Sequence, residues 1–326
     1  MRRKLIFIIP GVIAVIMLAA MFWLNYEPPV FDPLERARLH AETHGHRNEA
    51  GFVITSTLID TVNLLLDKRG GYMSNDVTPP WVLLDNLPNW EFGVLTQVRD
   101  LARAFRNDFS RSQTQSAEDP DLAEADPLFH FDSERLMLPS TESQYRKGVE
   151  HLEAYLARLT DPTDPQAQFY ARADNLVDWL SVVEKRLGSL SQRLSASAGQ
   201  QRLNTDLSGD PEARQSTGAP GEVHVQTPWL EVDDVFYETR GAAWALVLFL
   251  RAMEADFEDV LRKKNALVSF RQIIRELEST LEPLHSPMVI NGRKFGLFAN
   301  HSLVMANYIA RANAAIIDMR ILLSQG

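Results

Sequence analysis

Three arginines, Arg99, Arg103 and Arg106, recur at i, i+4 and i+7, with Arg111 just beyond. On a helix they share one face, and a guanidinium grips planar oxyanions through paired N–H bonds. The stripe is a candidate anion contact, suited to a phosphate, an anionic lipid head or a carboxylate-rich glycan. The segment that follows carries Glu118, Asp119, Asp121, Glu124 and Asp126, so an internal contact competes for the same groups. A second constellation is aromatic. Tyr72, Pro79, Pro80, Trp81 and Trp90 fall in one segment broken by prolines. Tryptophans held by prolines form a rigid apolar platform for a partner or a sugar, so these five residues are the candidate interaction surface. The competing reading has Trp81 and Trp90 plugging the ends of a helical bundle.

Other polar clusters carry less. His40, His44 and His46 lie close together, and histidines four apart on a helix can share a metal ion. Gly45 interrupts that helix and spacing fixes no fourth ligand, so no metal site is assigned. Glu231, Asp233, Asp234 and Glu238 open a helix, where carboxylates meet the positive end of the helix dipole. The chain has no Gly-x-Ser-x-Gly elbow, His-Glu-x-x-His pair, P-loop, dinucleotide fingerprint or cysteine. No catalytic residue and no cofactor is therefore assigned. Enzyme chemistry would need carboxylates brought together across a cleft near the tryptophans.

The elements that must position these groups begin with an apolar run. Leu5–Leu24 is uncharged, follows Arg2, Arg3 and Lys4, and holds twelve Leu, Ile, Phe or Val residues. At ~1.5 Å per residue it reaches ~30 Å, the thickness of a bilayer core. Ala19 and Ala20 offer a signal-peptide cut, but Met21–Leu24 carry the apolar run past it, which favours a retained anchor. The basic start predicts a cytoplasmic tip (1–4), a transmembrane helix (5–24) and a periplasmic body. The net charge is −10, and the part beyond the run is more acidic still once the three leading basic residues are set aside. Such a body is a poor nonspecific nucleic-acid binder. Without cysteine it relies on packing rather than disulfides.

Residues 25–48 read as a juxtamembrane spacer, stiff at Pro28-Pro29 and Pro33, with a short helix from Leu34 to about His44. A helical region, 49–198, contains Phe52–Leu66, stopped by Gly70-Gly71, and a helix capped by Asn89. Ser110–Leu138 reads as a long acidic loop. Phe169, Ala173, Leu176, Leu180, Val183, Leu187, Leu190 and Leu194 then repeat at 3.5 residues, and Tyr145–Leu159 carries a shorter matching seam. These predict a helical hairpin over 141–198, with Asp164 as cap and Pro165 at the first helical position. Residues 199–222 read as a flexible linker. A second helical region, 223–326, carries seams at Val232–Phe257, Leu267–Leu284 and Leu303–Ile321, the last through Asn307, Ala310, Ala314 and Ile317. Met288–Phe295, around Asn291-Gly292, reads as a β-hairpin. The fold class expected is all-α, a membrane-anchored bundle with long heptad-patterned helices and one small β-hairpin. A seam so narrow is covered within the chain or by a second copy.

From Gly70 to Ser143 the chain resembles an uncharacterised proteobacterial family of single-pass inner-membrane proteins, a domain of unknown function. The resemblance rests on Gly70-Gly71-Tyr72, Thr78-Pro79-Pro80, Leu83-Leu84-Asp85-Asn86, Trp90–Leu95, Arg99–Arg103, Phe109–Gln113, Glu118–Leu122 and Leu138–Ser143, and extends over most of the chain. It implies placement in the bacterial inner membrane and no activity. The function expected is a non-enzymatic binding or scaffold component of the cell envelope. Its partners would be the bilayer, through Leu5–Leu24, and a second copy or another envelope protein. The alternative is a periplasmic carboxylate-dependent enzyme acting on cell-wall glycan or peptide.

Overall fold

The computed structural model describes residues 2–44, 49–112, 117–161, 163, 167–203, 222–286, 288–292 and 297–325, with side chains of the first helix from Gly11 onward. It is built from helices. In chain order they are α1 (Arg2–Leu24), α2 (Pro33–His44), α3 (Phe52–Asp67), α4 (Asn86–Ala104, continued by a π-helical turn, Phe105–Phe109), α5 (Pro120–Phe129) and α6 (Thr141–Leu159). After them come α7 (Ala173–Ser197), α8 (Val232–Asp256), α9 (Glu258–Lys263), α10 (Leu267–Glu278) and α11 (His301–Ser324).

The centre of the molecule is α8, buried on nearly every side from Thr239 to Leu250. Its Ala and Gly positions let α4 approach closely. A Cβ on Gly241 would lie 1.9 Å from the Trp90 carbonyl oxygen, and one on Gly93 would lie 2.0 Å from that of Glu238. Only glycine fits at either crossing point. Around this pair, α3 and α10 pack on α8, α5 and α6 on one another, and α7 on α11. One apolar cluster runs continuously from Leu24 to Leu323 and joins both halves of the sequence.

Several elements depart from the sequence reading. The heptad residues of α7 from Leu176 to Leu194 are buried as expected, but α11 covers them, and α6 turns instead to α5 and α3. The expected α6–α7 hairpin is therefore not a packed pair. The segment before α7 is held extended, because the Tyr170 amide donates to the Phe109 carbonyl (2.7 Å) and Phe169 packs on Phe105, Phe109 and Phe257. Helix α7 thus starts at Ala173; the expected cap, Asp164, and Pro165 lie outside the described residues. The stretch read as a loop from Ser110 contains α5, with Asp119 accepting from the amides of Asp121 and Leu122 and Pro120 in the first turn. Helix α4 begins one turn earlier than expected, capped by Asp85 rather than Asn89.

On α11 the buried stripe is Met305, Ile309, Ala312, Ile316, Met319 and Leu323. The expected stripe lies beside it, and its Ile317 and Ile321 are exposed. The helix is apolar on more than one side, so periodicity alone did not choose the face. Strand pairing also falls elsewhere. Gln200–Leu203 (β1) pairs antiparallel with Glu222–Val225 (β2) at the two ends of the segment read as a linker. Asn291, expected in a hairpin turn, instead bridges Asn300, and the Gly292 amide donates to the Ala299 carbonyl (2.9 Å). The bridge therefore closes a wider loop, of which 293–296 lie outside the described residues.

Candidate functional site

The best-built polar site sits where the chain leaves α1. Leu24 is buried, close enough to Gly70 that a Cβ there would meet its methyl at 2.6 Å. The Arg69 guanidinium lies over the Tyr26 ring at 4.2 Å and near Trp23 at 5.8 Å. One residue after Tyr26, the Glu27 carboxylate accepts three bonds from Arg240 on α8 (2.7–3.1 Å). Arg240 also donates to the Thr280 and Glu282 carbonyls (3.0 and 2.9 Å) at the end of α10. Only 7% of Arg240 is exposed, so the ion pair is shielded and highly directional. Phe31 then meets Trp244 edge-on at 6.2 Å, and Arg36 on α2 reaches Asp60 on α3 at 3.8 Å. Burial raises the Asp60 carboxyl, with Arg36 and then His40 opposing the rise. The expected spacer is thus a strap fastened to the body from Leu24 onward.

Beneath the strap a buried carboxylate organises the Gly70–Asn75 turn. Glu91 of α4 accepts from the Lys68 ammonium, the amides of Met73 and Ser74 (2.9 Å each) and the Ser74 hydroxyl (2.6 Å). Gly70 and Gly71, both with positive φ, make that turn sterically accessible. Burial pushes the Glu91 carboxyl upward while Lys68 and the other donors hold it back. Tyr72 is buried, donates to the Ser133 carbonyl (3.0 Å) and packs edge-on against Tyr145. Trp90 is fully buried against Trp244, with ring centroids 5.2 Å apart. Trp81 is half-buried against the core, and Pro79 and Pro80 lie on the outer side of the same loop. The five aromatic and proline residues therefore divide between a core plug and an outer loop.

The arginine stripe is engaged within the chain. Arg99 donates to the Phe129 and Phe131 carbonyls (2.7 and 2.9 Å) and to the Tyr145 hydroxyl (3.2 Å). Arg103 meets the His130 ring at 2.8 Å, and Arg106 bonds Glu118 (2.9 Å) and Asp126 (3.3 Å). All three thus fasten α4 to α5 and its flanks, and the acidic segment named from sequence supplies the partners of Arg106. The signal for the internal reading was present in that acidic run; the carbonyl partners of Arg99 had none.

Asp85, Asp233 and Asp234 cluster where α4 and α8 begin, and Asp234 accepts from the Asn89 side chain (2.7 Å). Burial, then repulsion among neighbouring carboxylates, raises Asp234, and burial likewise raises Asp233. These residues line none of the described cavities. A cavity of about 480 Å³ opens beside Arg240, lined by Phe236, Leu284, His285, His301 and Tyr308 among others. Burial lowers the His301 imidazole, whose Nδ1 accepts from the Ile290 amide (3.0 Å). Another cavity contains Asp100 and Glu238, each held by a pair of bonds from one arginine, Arg186 and Arg193. Carboxylates tied in this way are poor proton donors. Among the described residues no three His, Cys, Asp or Glu side chains converge as metal ligands; His46 and the side chain of His44 lie outside them.

From Gly11, where its described side chains begin, α1 rises ~21 Å. Among the described residues no helix is long and apolar enough to cross a membrane. The chain belongs to the family described as "Uncharacterized protein conserved in bacteria (DUF2333)", whose model matches residues 2–326. No curated protein and no solved structure matches it.

Proposed function

We propose that this chain is a single-pass inner-membrane protein whose periplasmic helical body is clamped to the end of its anchor and works as a binding or scaffold component of the envelope. The anchor is the uncharged run Leu5–Leu24, carried on a helix of 23 residues. The observation that carries the reading is the strap after it: Leu24, Glu27 and Phe31 each have a fitted seat on the body. An anchor joined to its cargo by a pair between half-buried Glu27 and buried Arg240 transmits position and orientation, which a loose tether does not. The described cavities hold no free pair of carboxylates near Trp81 or Trp90, the geometry that the enzyme reading requires.

A carboxy-terminal alkaline phosphatase fusion to the full chain tests the topology. The fusion is expected to be active in cells, because the enzyme matures only outside the cytoplasm. An inactive but stable fusion overturns the periplasmic body.

A further inference from the structure

We propose that the loops at the anchor end of the body make a second contact with the bilayer, dipping apolar side chains into the boundary between headgroups and acyl chains. This rests on the anchor reading above. Helices α4 and α8 run parallel, with Asn89 opposite Asp234 near their starts and Phe109 against Phe257 just past their ends. Their first turns therefore lie at one end. The end of α7 joins them through Arg193 and Glu238, the end of α10 through Arg240, and the start of α11 through Ser302 and Asn291, which reaches the last turn of α7. The start of α6 joins through Glu142 and Asn75. Leu24 is seated at this same end, against Gly70.

Every connection at that end presents large apolar side chains to solvent: Leu83, Met137, Leu138, Trp229, Leu230 and Phe298 are exposed by 55–90%. At the opposite end, the described connections 49–51, 110–112, 117–119 and 264–266 expose none; the exposed apolar residues near them, Leu34, Val268 and Ile321, stand singly on helical turns rather than on the loops. An apolar set carried by the loops of one end marks a surface that meets something apolar. The occupant follows from the strap. From Leu24 to Phe31 the chain runs along α8 from Arg240 towards Trp244, away from the start of α8. Trp229 and Leu230 thus project beyond Glu27 towards the side from which α1 leaves. With no slack between Leu24 and the body, a bilayer that takes up α1 lies against these loops. Asp85 and Glu231 sit beside them, so apolar burial rather than attraction to anionic lipid drives the contact, and Trp229 suits the boundary where an indole ring is half wet.

The absence of native cysteine allows single labels on the full chain in vesicles of zwitterionic lipid. Fluorophores are placed by Leu138→Cys, Leu230→Cys and Phe298→Cys, with Val15→Cys on α1 and Val268→Cys as references, and quenched by lipids carrying a quencher at known depth. The proposal expects deep quenching at 15, shallow quenching at 138, 230 and 298 that survives high salt, and none at 268. Quenching at 15 alone overturns the second contact and leaves the anchor standing. No quenching at 15 overturns the anchor and the proposal with it. Labels at 138, 230 and 298 that are immobilised yet unquenched mean that protein covers the loops, which also overturns it.

Discussion

At residue scale the account turns on side chains whose charge is buried with a designated partner. Arg240 is the clearest, and Glu27→Ala would leave its guanidinium largely dry and short of a counter-charge. Breaking a shielded pair in this way costs roughly 3 kcal/mol, measurable by denaturant unfolding of the full chain in detergent. Glu27→Gln keeps an acceptor and is expected to cost clearly less. Asp256 gives a pH signature. Its carboxylate caps the start of α3 through the Ile54 amide (2.8 Å), and burial pushes it up to about 6. A carboxyl raised in the folded state favours folding most when protonated. Its contribution is therefore full below about pH 4 and declines as pH rises to about 6.5. The stability of the native chain relative to Asp256→Asn should fall across that window by roughly 3 kcal/mol and stay flat above it. A gap that widens with rising pH would contradict the assignment. None of these partners was legible in the sequence, since Glu27 and Arg240 are distant along the chain and both residue types are common on surfaces. Arg106 was legible because its partner lies on the adjoining acidic run.

At the scale of elements, the α4–α8 crossing is the feature least tolerant of change. Gly241→Ala places a methyl into the Trp90 carbonyl, and forcing the helices apart costs at least about 1–3 kcal/mol. Gly188→Ala on α7 meets nothing nearer than 3.6 Å and replaces a flexible residue inside a helix, so a gain of roughly 0.5–1 kcal/mol is expected. Thermal unfolding of the two variants should move in opposite directions. Leu187→Ala, in the α7 seam beneath α11, is expected to cost roughly 2–5 kcal/mol. Helix periods, the seams on α7 and α8, and the stop at Gly70-Gly71 could be read from the sequence because each repeats a local rule. The choice of partner helix could not. A 3.5-residue seam states that a face is buried and says nothing of what buries it, so α6 and α7 looked like a pair when each had another neighbour. On α11 two adjacent apolar stripes left the face itself open.

At the scale of the molecule, the strap that follows α1 is part of the body. The strap from Leu24 to α2 was expected as a spacer, because Pro28-Pro29 and Pro33 do stiffen an extended chain. The seats at Gly70, Arg240 and Trp244 become visible only when three distant segments meet. Their consequence is mechanical: the chain is fastened to the body from Leu24 to Phe31. The candidate surface around Tyr72–Trp90 changes accordingly, with Trp90 assigned to the core and the outer loop lying at the end where α1 joins the body. The measurement that most directly tests the account is retention of the full chain in bacterial membranes after an alkaline carbonate wash. The native chain is expected to stay in the membrane pellet, and the double substitution Ile13→Lys with Val15→Lys, which puts two charges into the apolar run, to appear in the supernatant. A native chain released by the wash would contradict the anchor on which the rest depends.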